Sequence, residues 1–237
     1  MLRELGDACA HAASIADARG AGTLVWVRRF DSIEFAVVLE PDEPLGPARR
    51  ALYAVMNAVA DALAACAPPE KPITFQWPDT ILIDGGILGG CRLSWPAGHE
   101  DAIPGWLVVG CQLRCVAPIV RGGAHPLDER HVRGTALASE GFERLDAADL
   151  ISSFARHLMT HVDQWQAHGF TPIGRDFLAR MPRSPGARPL TNVRGIDGNG
   201  DLLTRPIANL EAVDRRSLLA ALATPGWLDP ESQEPRL

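Results

Sequence analysis

Residues 75–95, FQWPDTILIDGGILGGCRLSW, bring together most of the groups in this chain that could do chemistry. Asp79 supplies a carboxylate directly after the Trp77-Pro78 corner, and Cys91 supplies a thiol. Gly89 and Gly90 supply the opposite of a side chain, since without a Cβ the backbone is open to whatever lies against it. A cysteine becomes a nucleophile only when a base or a cation draws off its proton. Arg92 is the next residue, but on a strand it points to the other face, so a small core cysteine is the simpler reading of Cys91.

The cations are unusual in kind. Of 23 basic residues, only Lys71 is a lysine. Arginine can hold a carboxylate or phosphate through its bidentate fork, which makes Arg28, Arg29 and Arg114 candidates for anion binding. Each also fits an ordinary strand-edge or surface arginine. His157, His161 and His168 stand four and seven apart and so share one helical stripe beside the apolar one. A metal would need a further ligand that the sequence does not supply, and a stripe of half-exposed histidines at the helix boundary accounts for them. His125 and His131 fall in a central loop where they could meet a ligand. Asp197-Gly198-Asn199-Gly200-Asp201 imitates the start of a calcium loop, but Leu202 and Ala208 stand where that loop needs glycine and glutamate, so a hairpin turn explains it.

These groups must be positioned by the elements around them. Residues 4–18 are alanine-rich and unbroken, which predicts a helix ended by Gly20 and Gly22. TLVWVRR and IEFAVVLEP read as a strand pair, and ARRALYAVMNAVADALAACA as a long helix stopped by Pro68 and Pro69. ITFQW, TILIDGG and ILGGCRLSW follow as strands, the last two joined by a turn at Asp84-Gly85-Gly86, and PGWLVVGCQLRCVAP is a further β-rich run. Residues 120–145 are loop-like. A helix spans about 146–168 with Ile151, Phe154, Leu158, Val162 and Trp165 at helical spacing, and a shorter one runs from Pro172 to about Arg180. PRSPGARP, 182–189, disfavours both helix and sheet and marks a boundary between a main domain, 1–182, and a small one, 183–237. The small domain holds a short strand, the IDGNGDLL turn and a helix near 214–223.

Composition narrows the class. The 237 residues, 46% apolar and 22% charged, suit a globular core, and no apolar run reaches the 18 or so residues of a membrane helix. A net charge of −6 with a pI near 5.6 argues against general nucleic-acid affinity. The amino-terminal residues lack the pattern of a secretory signal, and five cysteines without a CxxC pair suit reduced thiols; both point to a cytoplasmic protein.

In order and in motif the chain resembles the biotin/lipoate protein ligase superfamily. The biotin protein ligase pattern K-W-P-N-D, a strand, then D-G-x-K-x-x-G-I, is similar without a gap to Gln76-Trp77-Pro78-Asp79-Thr80 and Asp84-Gly85-Gly86-Ile87-Leu88-Gly89-Gly90-Cys91. The family's V-V-G-I-G-I-N strand looks like Val108-Val109-Gly110-Cys111-Gln112-Leu113-Arg114, and its R-G-I-D-x-x-G-x-L-L hairpin like Arg194 to Leu203. The resemblance implies an α+β fold, a mixed sheet flanked by helices with a small C-terminal β-rich module. It implies activation of a carboxylic acid such as biotin, lipoate or octanoate by ATP with Mg2+, then transfer to a lysine of a biotinyl or lipoyl carrier domain. It also implies ligand contacts at Trp77, Asp79, Gly89, Gly90, Cys91 and Arg114.

The chain departs from the pattern at its cations. The family's hairpin lysine, which contacts the acid's carboxylate, is matched by Ile87, and the glycine- and arginine-rich phosphate loop by Trp26-Val27-Arg28-Arg29-Phe30-Asp31. Loss of a cation at that atom typically costs several kcal/mol of transition-state stabilisation, so Arg28, Arg29 or Arg114 would have to stand in. Three functions follow as expectations: an acid-binding ligase or acyltransferase, a catalytically silent binder of ligand or carrier, or thioester transfer through Cys91.

Overall fold

The computed structural model describes residues 6–68, 70–117, 134–142, 145–182, 192–209 and 211–236. Its centre is a six-stranded sheet in the order β1-β2-β6-β5-β4-β3, formed by Leu24–Arg28, Ser32–Leu39, Leu107–Arg114, Gly86–Ser94, Thr80–Ile83 and Ile73–Gln76 respectively. Among the described residues every strand pairing in it is antiparallel, and a parallel contact occurs only as the isolated bridge between Ile87 and Gly134. A second sheet, β7-β8-β9, comprises Asn192–Ile196, Leu202–Pro206 and Asp214–Arg216. The architecture is therefore the expected α+β sheet with a small C-terminal β module. PRSPGARP lies almost wholly outside the described residues, as do His125 and His131.

Alternation along the strands divides the large sheet into two faces. Ile33, Phe35 and Val37 of β2, Val109, Cys111 and Leu113 of β6, and Ile81 and Ile83 of β4 point into the main core. After the single-turn α2 (Leu45–Ala48), helices α3 (Ala51–Ala64), α4 (Ala147–His168) and α5 (Thr171–Arg180) cover that face. The α3 helix is apolar almost all round because it is sandwiched, with sheet on one side and α4 and α5 on the other. Large side chains such as Leu52, Met56 and Leu63 are fully buried there, each contributing about 2 kcal/mol by removal from water. The α4 helix starts where the Asp146 carboxylate accepts from the backbone N–H of Ala148 and Asp149. Its stripe of Leu150, Ile151, Phe154 and Leu158 packs inward.

The opposite face is covered differently. Helix α1 (Ala8–Arg19), capped by Asp7, lays Ala8, Cys9, Ala12 and Ala16 against Val25, Val27, Ala36, Val38 and Val108. Gly110 permits that approach, since a Cβ there would stand 2.8 Å from the Cys9 Cβ. The rest of this face carries polar groups beside a small apolar cluster that includes Leu82 and Ile87.

Two local expectations are corrected. The segment near 214 begins as the exposed strand β9 and becomes helix α6 only over Leu218–Leu222, because Asp214, Arg215 and Arg216 complete a ladder with β8. The histidine stripe is not uniformly half-exposed. His161 is buried, its Nε2 2.7 Å from the Asp61 carboxylate on α3, while His168 lies in the open. Among the described residues no group of three or more His, Cys, Asp or Glu side chains gathers as a metal site, and no helix is long and apolar enough to cross a membrane. All five cysteines are free thiols.

Candidate ligand-binding site

The site is the polar half of the sheet's second face. Glu34 comes from β2, Gln112 and Arg114 from β6, Gly90 and Arg92 from β5, and Arg29 from the turn between β1 and β2. Buried polar residues are uncommon, and here Glu34, Gln112, Arg114, Asp79 and Thr80 are all buried. The Glu34 carboxylate accepts from the Ala8 N–H at 2.7 Å and lies 3.8 Å from Arg29 and 3.9 Å from Arg92. Burial pushes its pKa up, with the Ala8 hydrogen bond opposing.

The cover over these groups is the segment after α6. Residues 227–236 close on themselves: the Asp229 carboxylate accepts from the N–H of Glu231 and Ser232, and the Arg236 N–H donates to the Trp227 carbonyl at 2.7 Å. The loop seats its Trp227 indole, with no exposed surface, directly over Gly90. A Cβ at Gly90 would lie 2.4 Å from both Trp227 Nε1 and the Asp79 carbonyl oxygen. Trp227 and Leu228 join Leu82 and Ile87 in one buried apolar cluster. Beside it the Glu234 carboxylate pairs with the Arg29 guanidinium and accepts from Gln112 Nε2 at 3.2 Å, while Arg114 donates to the Pro235 carbonyl.

Electrostatically the seat is incomplete. Burial pushes the Asp79 carboxyl up to about 7; the Thr80 hydroxyl, 3.2 Å from Oδ1, and the nearby Trp227 indole pull it part of the way back. Proximity does not produce a finished bond, because Trp227 Nε1 and Asp79 Oδ2 are both buried without a partner in hydrogen-bond geometry. Arg114 Nε is a third such atom. Burial draws the Arg114 pKa down, and the Glu234 charge opposes it. The Arg29 guanidinium, 3.1 Å from Asp31, holds that carboxyl below its ordinary range.

The sequence candidates separate into groups. Arg29, Arg114, Asp79 and Gly90 converge on the covered face, and Ile87 adjoins them in the apolar cluster. Trp77 does not face Gly90. It belongs to the helical core, where its Nε1 donates to the Tyr53 hydroxyl at 2.9 Å and the Arg216 guanidinium stacks 4.8 Å over its ring. Tyr53 in turn donates to the Gly200 carbonyl, tying the Trp-Pro corner to the small sheet. Gly89 faces its neighbouring strand so closely that a Cβ would stand 1.9 Å from the Gln112 carbonyl oxygen. Cys91 is fully buried in the core opposite Cys111, and its thiol is held well above the ordinary range by that neighbour's hydrogen bond and by burial. Arg28 is exposed at the end of β1. Lys71 is away from the face, its ammonium between Glu140 at 2.7 Å and Asp84 at 3.1 Å beside an open groove of about 640 Å3.

Glu34, Gln112 and the covering loop were not singled out from sequence. Gln112 and Arg114 share a face by simple alternation with the apolar positions of β6, so a signal for them existed. The loop announced itself only through an aromatic, Trp227, next to the turn-forming run Asp229-Pro230-Glu231-Ser232.

Comparison with known proteins agrees with this architecture. The Biotin/lipoate A/B protein ligase family model matches residues 2–179. The biotin–[acetyl-CoA-carboxylase] ligase of Paracoccus denitrificans is 26% identical over 212 residues, 82% of either chain. Among solved structures, a biotin protein ligase-like protein from Silicibacter sp. TM1040 superposes with a TM-score of 0.74 at 24% identity, covering 94% of this chain and 97% of that one. The biotin protein ligase of Aquifex aeolicus gives a TM-score of 0.59 at 14% identity over 84% and 86%. That enzyme has also been solved in complex with biotin and ATP. At such identities the structural likeness concerns the fold.

Proposed function

Because this chain belongs to the Biotin/lipoate A/B protein ligase family, we propose that the polar face of its large sheet binds a small carboxylic acid of the biotin or lipoate kind, or its acyl conjugate. In this reading Arg29 and Gln112 hold the carboxylate and the apolar body lies over Gly90. The observation that carries it is the Glu234 carboxylate, which sits between Arg29 and Gln112 in the structure itself. Charge-assisted bonds from guanidinium to carboxylate are short and roughly twice as strong as neutral ones. They replace the grip of a lysine at the position of Ile87, whose side chain is committed to an apolar cluster. Arg114, with Nε buried and unpartnered, offers a further donor.

The residues fit one carboxylate better than a nucleoside triphosphate with Mg2+. The segment from Trp26 to Asp31 has no glycine to cradle phosphate. Arg29 and Arg92 already face Asp31, Glu34 and Asp7, so a polyphosphate would crowd more negative charge onto an acidic surface. We therefore read the chain as an acid-binding member of the family. The buried, strongly protonated Cys91 gives no support to thioester transfer.

Calorimetric titration with biotin, lipoate and octanoate tests the reading, using the wild type and the Glu234→Gln form. Arg29→Ala should weaken binding roughly ten- to a hundredfold, the worth of hydrogen bonds to a charged group. Failure of every acid to bind either form sinks the proposal. Pyrophosphate release on adding ATP and Mg2+, with transfer to a carrier lysine, would make the protein a ligase instead.

A further inference from the structure

Resting on that reading, we propose that residues 227–236 are the site's own occupant, a displaceable mimic in which Glu234 holds the place of the ligand's carboxylate and Trp227 the place of its apolar body. The loop is built to move as a unit. Its Asp229 turn, the Arg236-to-Trp227 backbone bond and the Leu228–Pro235 bridge are internal, and it adds no strand to either sheet. Its grip on the face comes from the indole over Gly90, Leu228 against Ile87 and Leu82, and the groups that hold Glu234 and Pro235.

The seat also shows what the loop does not satisfy. Asp79 Oδ2, Trp227 Nε1 and Arg114 Nε are left without partners beneath it. A buried polar atom left unpaired destabilises the closed state, so a ligand that offers Asp79 a donor and Arg114 an acceptor gains what the loop forgoes. The ligand class that follows is an acid with a flat or cyclic apolar body and at least one additional polar group, rather than a plain fatty acid. Entry of its carboxylate expels Glu234, because Arg29 already faces Asp31 and Glu34 and its remaining donors, with Gln112 Nε2, hold one further carboxylate. Tethered, the loop competes at an effective concentration on the order of millimolar, so free acid meets a site closed most of the time.

The test is acid binding in full-length wild type, Glu234→Gln and Trp227→Ala, paired with hydrogen exchange at the loop amides. Both variants should bind lipoate or biotin at least tenfold more tightly than wild type, with octanoate gaining less. In the wild type, bound acid should strip the loop of its seat, and its internal bonds, no longer supported by packing, should open more often, speeding exchange at Asp229, Gln233 and Arg236. Should Trp227→Ala not fold, Glu234→Gln, altered at a partly exposed side chain, still decides the matter. Equal affinity in all forms, or an unchanged loop when acid is bound, overturns the mimic while leaving the acid site standing. If no form binds any acid, the proposed function falls, and phenylglyoxal decides the loop: faster labelling of Arg29 and Arg114 in the variants supports a displaceable occupant, and unchanged labelling overturns it.

Discussion

Trp227 Nε1 lies 2.4 Å from where a Cβ on Gly90 would have to be, although the two residues are 137 positions apart. The indole and the missing side chain are therefore complementary, and the Asp79 carbonyl presses on the same point from the backbone.

Gly90→Ala should destabilise the fold by about 1 to 3 kcal/mol, the usual cost of overpacking. Because Asp79 presents a backbone atom that cannot swing aside, Trp227→Ala should relieve only part of that cost. Urea titration of both single variants and the double variant checks this. Full rescue in the double would mean that the indole alone closes the space.

Asp79 sets a pH dependence. Its carboxyl is raised from 3.8 to about 7 in the folded state, so the native protein holds a proton that the unfolded chain has released between those values. The stability this contributes is whole below about pH 4 and is lost as pH rises through about 7. Wild type should thus lose a few kcal/mol over that window relative to Asp79→Asn, whose profile is flatter. Parallel profiles for the two proteins would contradict the assignment.

Tyr53 and Trp77 should respond unequally to loss of their shared bond. Tyr53→Phe strips partners from both Trp77 Nε1 and the Gly200 carbonyl, each costing about 1 to 3 kcal/mol. Replacing the Trp77 indole by the isosteric benzothiophene removes only the N–H and leaves the Tyr53-to-Gly200 bond in place. Thermal unfolding should rank Tyr53→Phe below a variant that removes only the indole N–H, and the reverse order would place the junction elsewhere.

Thiol reactivity should follow burial. Cys66 is exposed, whereas Cys91 and Cys111 are shut in the core. Mass mapping after brief treatment with an alkylating agent should find Cys66 modified and Cys91 untouched until the protein unfolds, and an acyl thioester should leave Cys91 unlabelled. Early modification of Cys91 would reopen thioester transfer.

Much of the fold was legible in residue patterns. Alternation in VVGCQLR, the Asp84-Gly85 turn with both residues at positive φ, and the stripe from Leu150 to Leu158 are local signals, and each became the element it suggested. The site was legible only in part, because its decisive contacts are distant in sequence. Gly89 and Gly90 look interchangeable in the chain, yet as successive strand residues they turn to different neighbours, a strand carbonyl for one and an indole for the other. His161 reads as a boundary residue until Asp61, a hundred positions earlier, arrives beside it. The closing loop has no periodicity at all, and its destination is set by Arg29, Gln112 and Arg114, which local pattern does not connect to it.

Tyr53 is the only tyrosine in the sequence, and its hydroxyl stands between the Trp-Pro corner and the small sheet. The molecule thus carries a built-in optical reporter at that seam. Burial drives its phenol far above the ordinary value near 10, so the phenolate band in an alkaline titration will rise late and as one step, when the two sheets part company.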